Sequence, residues 1–224
     1  MSSELHLLRL LQLTSANLPV GGFTYSQGLE WAVEAGWVKG AEGFRAWQRE
    51  QLHDTLGHLD WPLLQRLYRA CREDDAEAFA GWSAFLLANR ETAELRLEER
   101  QRGKALARML DGWQLCQAPA WRASVELSQL GGMAWLGAHW EIPLRQLALG
   151  HAFAWLEGAV MAGVKLVPFG QQAAQTLLRD LSVELPEVLE RALELPDEAL
   201  GGGLPLLAIA SARHETQYTR LFRS

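Results

Sequence analysis

Leucine and other apolar residues recur along most of the chain at the spacing of a helix face. Near the N-terminus, Leu5, Leu8, Leu11 and Leu13 form such a stripe. Asn17-Leu18-Pro19 then predicts its end, because the residue before a proline avoids helical torsion angles. The first element is therefore predicted to be a short amphipathic helix.

A second helix is predicted through Leu29, Trp31 and Val33. Thr24 or Ser26 can cap it, and Gly36 can end it. The same periodicity predicts further helices at about 41–57, 61–73, 75–88, 90–113 and 119–137. Prolines in the first helical turn indicate three helix starts, at Pro62, Pro119 and Pro143.

Alternating runs of β-branched residues, which are typical of strands, are nearly absent. The pattern therefore predicts an all-α fold, a single-domain helical bundle of about ten helices spanning residues 1–224. Pro196, the three glycines Gly201-Gly202-Gly203, and Pro205 interrupt the helical pattern. They predict a mobile joint and, after it, a flexible C-terminal segment, residues 204–224.

The most apolar stretch, residues 152–169, contains Glu157, Lys165 and Pro168. A membrane-spanning helix needs about 20 largely uncharged residues, so we expect a buried core helix and no membrane association. Glu4, His6 and Arg9 interrupt any apolar core of a signal peptide, which favours a cytoplasmic protein.

Composition narrows the class of protein further. Hydrophobic residues make up 49% and charged residues 21%, which is a globular balance. The net charge of −6 gives no reason to expect a basic face for nucleic acid. Cys71 and Cys116 lie 45 positions apart, a spacing that fits neither a metal knuckle nor a redox motif and favours a reducing compartment.

Motifs for bond-making chemistry are incomplete. Gly103-Lys104 is followed by alanine, so the hydroxyl residue of a nucleotide-binding loop is missing. His214-Glu215 begins like a zinc-protease helix, but Tyr218 stands where the second histidine ligand would be. The remaining histidines are dispersed, and we expect no resident metal, no cofactor and no enzymatic activity; they are His6, His53, His58, His139 and His151.

Four segments carry unusual combinations of residues. Residues 18–30 combine proline, paired glycines, aromatics and hydroxyls, which fits either a structural turn with a helix cap or a binding loop. Residues 90–103 carry mixed charges at helical spacing, typical of a solvated helix face or of a charged docking face.

The other two lie towards the C-terminus. In residues 155–171, Gly158 and Ala162 would let a second helix approach closely, and Lys165 is expected either to extend to solvent or to face a partner. The last twelve residues, 213–224, combine three arginines with aromatics, the composition of binding hot spots, and we expect them to order on meeting a partner.

These four segments resemble the urease accessory protein F (UreF) family. The most specific are Val-Lys-Leu-Val-Pro-Phe-Gly-Gln at 164–171 and Arg-His-Glu-Thr-Gln-Tyr-x-Arg-Leu-Phe-Arg-Ser at 213–224. The resemblance implies an all-helical, non-catalytic homodimer. It implies a complex with the scaffold UreD (also called UreH) and the GTPase UreG, which docks on apo-urease and delivers nickel when GTP is hydrolysed.

The expected partner-binding residues are the polar, charged and aromatic members of these segments: Tyr25, Gln27, Glu30, Arg90, Glu94, Arg96, Glu98, Lys165, Arg213, His214, Glu215, Tyr218, Arg220, Leu221, Phe222 and Arg223. Two alternatives to an adaptor stay open. One is a GTPase-activating protein that supplies Arg96, Arg213, Arg220 or Arg223 to the GTPase, a device worth about 10³–10⁵ in rate. The other is an unrelated hydrolase using His214 with Glu215.

Overall fold

A computed structural model describes residues 3–223, and this part of the chain is helical with no strand, which confirms the predicted all-α fold. The α-helices are α1 (Ser3–Leu13), α2 (Leu29–Glu34), α3 (Gly40–Glu50), α4 (Trp61–Arg72), α5 (Ala76–Ala88), α6 (Ala93–Gly112), α7 (Pro119–Val125), α8 (Gln129–His139), α9 (Leu144–Leu166), α10 (Gln171–Ser182), α11 (Leu185–Leu193) and α12 (Pro205–His214).

The predicted helix start at Pro62 is instead a change of helix type within one continuous helix. Gln51–Asp60 forms wide π turns that join α3 to α4, and the N–H of Trp61 donates to the carbonyl five residues back. Pro62 cannot donate to the carbonyl of His58. Gly201, in the glycine-rich segment, donates to that carbonyl instead, at 3.1 Å.

The helix predicted over 119–137 is two helices. α7 ends at Val125, and Ser128, in an extended conformation, caps α8 by accepting from the N–H of Gly131 at 2.8 Å. Gly103 of α6 lies against this corner: a Cβ there would be 2.6 Å from the Ser128 nitrogen. The break therefore gives α6 room to cross.

Two hydrophobic clusters form the core. The larger surrounds α4 and α8 and includes the fully buried Trp61 and Phe79. The second joins α3, α9 and α10 and includes Phe44 and Phe222. Trp155 of α9 packs against both clusters. Helix α9 therefore connects the two clusters.

Helix α9 contains most of the apolar stretch predicted to be a core helix. Within residues 3–223 it is long and apolar enough to cross a membrane by length and composition. One face, with Ala152, Leu156 and Val160, is buried in the protein core, as predicted. Phe153 and Met161 of the same helix are exposed.

The C-terminal segment packs against the rest of the chain. The α12 residues Leu207 and Ala210 are buried, and just before this segment Asp197 forms an ion pair with Arg66 at 2.8 Å. The mobility of residues 204–224 in solution stays a prediction.

Candidate functional site

His214, at the last turn of α12, is fully buried between two carboxylates. Its Nδ1 lies 2.8 Å from Glu94 of α6, and its Nε2 lies 3.3 Å from Glu30 of α2. A ring that carries both N–H groups donates to both carboxylates. This side chain therefore joins three helices through charged groups.

Glu30 and Glu94 also hold the chain that follows α12. Glu30 accepts from the backbone N–H groups of Leu221 at 2.6 Å and Phe222 at 2.9 Å. Glu94 accepts from the guanidinium of Arg220 at 2.9 Å. Buried carboxylates need such donors to offset the loss of hydration. We call Glu30, Glu94, His214 and Arg220 the tail seat.

Aromatic and backbone contacts complete the attachment of the tail. Phe222 is buried in the second core cluster, and the Lys165 ammonium lies 5.3 Å above its ring, within cation–π range. The N–H of Arg223 donates to the carbonyl of Thr24 at 2.8 Å. Three of the four segments singled out in the sequence therefore contribute residues to the tail seat, and the fourth, residues 155–171, contacts the adjoining tail through Lys165.

Gln27 extends this polar network inward. Its amide donates to Glu98 at 3.1 Å and accepts from the indole N–H of Trp155 at 3.1 Å, while Arg102 donates to Glu98 at 2.8 Å. Burial, together with the charge of Glu98, raises the pKa of the nearby Tyr25 phenol. The phenol donates to the Gln101 side chain at 3.2 Å.

Behind Gln27 lies a cleft of about 410 Å³ that charged side chains line. Arg90 forms ion pairs with Asp60 at 2.7 Å and Glu99 at 2.9 Å in its wall. Burial raises the pKa of Asp60 to about 6, although Arg90 acts to lower it. Burial also lowers the pKa of His151 to about 4. The charge of the cleft wall therefore depends on pH through Asp60 and His151.

Sequence reasoning missed four residues of this cleft: Asp60, Glu99, Arg102 and His151. They lie on α6, on α9 and in the π turns, and no spacing in the sequence relates Asp60 or His151 to the two residues of α6. Buried nitrogens of two of them, Nδ1 of His151 and Nε of Arg102, have no hydrogen-bond partner within residues 3–223. The sequence did contain one signal: many charged residues lie between Arg90 and Arg102. Because the helix there also buries apolar side chains in the core, some of these charged residues had to be buried with them.

The predicted partner-binding residues fall into two groups. Most point inward, and their polar groups contact other parts of the chain, as Arg96 does through the carbonyl of Arg90 at 2.6 Å. Glu215 accepts from the backbone N–H of Glu94 at 3.2 Å. Seven of the sixteen, Glu215 among them, are exposed: Lys165, Arg213, Glu215, Tyr218, Arg220, Leu221 and Arg223. Partner binding by either group stays a prediction.

Metal-binding geometry is not evident in the part of the chain that the structure describes. No three His, Cys, Asp or Glu side chains in residues 3–223 converge to hold an ion. Both nitrogens of His214 face carboxylate oxygens. The arrangement is that of a charge-linked joint between helices and the tail.

Comparison with known proteins gives consistent matches over the whole chain. A family model described as UreF matches residues 38–182. The chain is 82% identical to the "Urease accessory protein UreF" of Pseudomonas entomophila (strain L48) and 57% identical to that of Klebsiella pneumoniae (strain 342). The protein of the same name from Pseudomonas putida (strain GB-1) is 81% identical. Each alignment covers 100% of both chains.

Proposed function

Because the chain belongs to the UreF family of urease accessory proteins, we propose that it is a non-catalytic adaptor for nickel incorporation into apo-urease. In this role it joins the scaffold UreD/UreH and the GTPase UreG in a cytoplasmic complex. The observation that carries the proposal is that all four family-like segments contact one another at the tail seat and the adjoining tail. Buried charged contacts fix the position of the tail. Its exposed side chains therefore form a defined surface that a partner can recognise.

The exposed side of α12 and the tail supports a docking surface for the scaffold. Leu206 and Ile209 of α12 are 54% and 45% exposed, and Leu221 is 65% exposed. Arg213 and Tyr218 are exposed with them. Arginine and aromatic anchors beside apolar side chains are typical of interface hot spots.

A homodimer has a candidate surface on α1 and the neighbouring part of α9. Leu7, Leu8 and Leu11 of α1 are exposed, and Leu10 of the same helix packs against Gly150 of α9. The exposed Phe153 lies one turn after Gly150 on α9. Contiguous exposed apolar side chains mark association surfaces, so we place the dimer contact on α1 and α9.

Co-expression with the two accessory proteins tests the adaptor. A tagged chain should co-purify with both scaffold and GTPase and, alone, should hydrolyse no GTP. Arg213→Ala combined with Tyr218→Ala should reduce recovery of the scaffold, while Arg179→Ala on α10 combined with Val183→Ala just after it should not. Wild-type chain that recovers neither partner would rule the adaptor out.

A GTPase-activating role is the second candidate, and two exposed arginines favour it. The side chains of Arg213 and Arg223 form no ion pair within residues 3–223. Arg220 and Arg96, in contrast, already bind Glu94 and a backbone carbonyl. If an arginine acts on the GTPase, Arg213→Ala or Arg223→Ala should lower its GTP turnover at least a hundredfold. Unchanged turnover in both variants would leave the passive adaptor.

A further inference from the structure

Helix α6 carries a row of exposed cations that the tail seat does not use. Arg100, Lys104 and Arg108 are four residues apart in turn and are all exposed. Residues four apart lie on one helix face, so the row extends over about 12 Å of the helix axis. None of the three forms an ion pair with a carboxylate within residues 3–223. We call these three residues the α6 basic stripe.

The acidic side chains of α6 do not neutralise the stripe, because other groups hold them. Glu98 binds Arg102, and Glu99 binds Arg90. Asp111, near the end of α6, is held by Arg122 of α7 at 2.7 Å. With Glu94 in the tail seat, the four acids of the helix are all engaged away from the stripe.

Like charges four residues apart on a helix repel one another and weaken it. A chain with a net charge of −6 has many carboxylates, yet none is placed against this row within residues 3–223. Leu97, three residues before Arg100 and seven before Lys104, lies on the same side of α6 and is exposed, so it adds an apolar contact point. In the free chain the three cations therefore face solvent.

We propose that the α6 basic stripe docks an acidic surface of a protein partner, with carboxylates spaced to match one helical turn and an apolar residue over Leu97. This inference rests on the proposed adaptor function. A nucleic acid is disfavoured because three cations on a chain with a net charge of −6 provide little counter-charge for a polyphosphate. Opposite charges placed this way act mainly on partner choice and association rate.

Zero-length cross-linking locates the contact, because lysine occurs at three positions only: Lys39, Lys104 and Lys165. A carbodiimide joins an amine directly to a touching carboxylate. In the complex co-purified with scaffold and GTPase, mass spectrometry should find Lys104 joined to an aspartate or glutamate of one partner. Lys104→Arg keeps the charge, so the complex should persist while this adduct disappears.

Two negative results have different meanings. In the first, the complex assembles but shows partner adducts only at Lys39 or Lys165, or no adducts. This result overturns the proposal for the α6 basic stripe and leaves the proposed adaptor function standing. A wild-type chain that co-purifies with neither partner overturns the adaptor, and the stripe proposal falls with it.

Association kinetics provide the second measurement. The triple variant Arg100→Gln, Lys104→Gln, Arg108→Gln should bind its cross-linked partner at least about tenfold more slowly at low salt, with a weaker salt dependence. The matched control replaces Arg145, Arg179 and Arg191 by glutamine, cations that sit in exposed ion pairs. Equal rates for the two triple variants, or tight binding of a 20-base-pair DNA duplex by the wild type that the stripe variant loses, would overturn the proposal.

Discussion

At the scale of single residues, the cleft contains two titratable groups that burial shifts in opposite directions. The pKa of Asp60 is raised to about 6, and the pKa of His151 is lowered to about 4. In both cases burial disfavours the charged form. Their contributions to stability therefore depend on pH with opposite signs.

Between pH about 4 and 6, the folded protein holds a proton on Asp60 that the unfolded chain releases, so this contribution falls as pH rises. The unfolded chain protonates His151 while the folded protein does not, so that contribution rises with pH. We expect a nearly flat profile for the wild type. Asp60→Asn should make the free energy of unfolding rise by about 3 kcal/mol across this window, and His151→Gln should make it fall by a similar amount.

Urea denaturation at a series of pH values, followed by tryptophan fluorescence, measures these slopes. The double variant should return to a flat profile. Parallel profiles for the wild type and both single variants would contradict the assigned shifts.

The tail seat allows a second prediction at the residue scale. Glu30→Ala leaves the N–H groups of Leu221 and Phe222 and one nitrogen of His214 without their acceptor. Breaking a buried charged network costs about 3 kcal/mol. We expect a loss of that size and faster hydrogen exchange over residues 215–223.

Glu34→Ala is the matched control, because Glu34 lies on the same helix, is exposed, and accepts only from the Gln217 side chain among the described hydrogen bonds. It should change stability by less than about 0.5 kcal/mol. Equal exchange rates in the two variants would show that the tail does not depend on the buried carboxylate.

At the scale of helices, close approaches between backbones decide where glycine is required. α6 crosses the corner between α7 and α8 at Gly103, where a Cβ would meet the Glu126 carbonyl oxygen at 2.7 Å. Gly81 of α5 has no atom within 4 Å of the place of its Cβ. The two glycines occur in similar helical sequence and differ in their tertiary surroundings.

We therefore expect opposite effects of the same substitution. Gly103→Ala should destabilise the protein by about 1–3 kcal/mol, because backbone atoms have to move. Gly81→Ala should stabilise it by about 0.5–1 kcal/mol, since alanine loses less entropy in a helix. Thermal unfolding measures both, and a stabilising Gly103→Ala would contradict the tight crossing.

At the scale of the whole molecule, the proposed dimer makes one direct prediction. Leu8 is 61% exposed on α1, within the apolar surface assigned to the dimer. Leu8→Asp would bury a charge in that contact and should convert a dimer to a monomer, measured by light scattering after size-exclusion chromatography. Val183→Asp, at a position 75% exposed after α10, should leave the mass unchanged. A dimer of unchanged stability in Leu8→Asp would place the contact elsewhere.

The outline of the fold was predictable because helix periodicity and proline positions act locally. Pro119 begins α7, Pro143 directly precedes α9, and Gly36 follows the end of α2 in the left-handed conformation with a φ of 74°. Helix type at Pro62 and the break at Ser128 were not predictable. The first accompanies a hydrogen bond from the distant Gly201 to the carbonyl of His58, and the second accompanies the crossing of α6 at Gly103.

The sequence by itself determined the all-helical class, the family resemblance and the four segments of interest, because hydrophobic spacing and short motifs are properties of neighbouring residues. Only the tertiary structure decided that Glu30, Glu94 and His214, which are separated by up to 184 positions, form one buried joint. It also decided that Asp60 and His151 share a cleft while Arg100, Lys104 and Arg108 stay exposed. The physical reason is that the environment of a charge depends on which helices pack around it, and packing brings together residues that no local pattern relates.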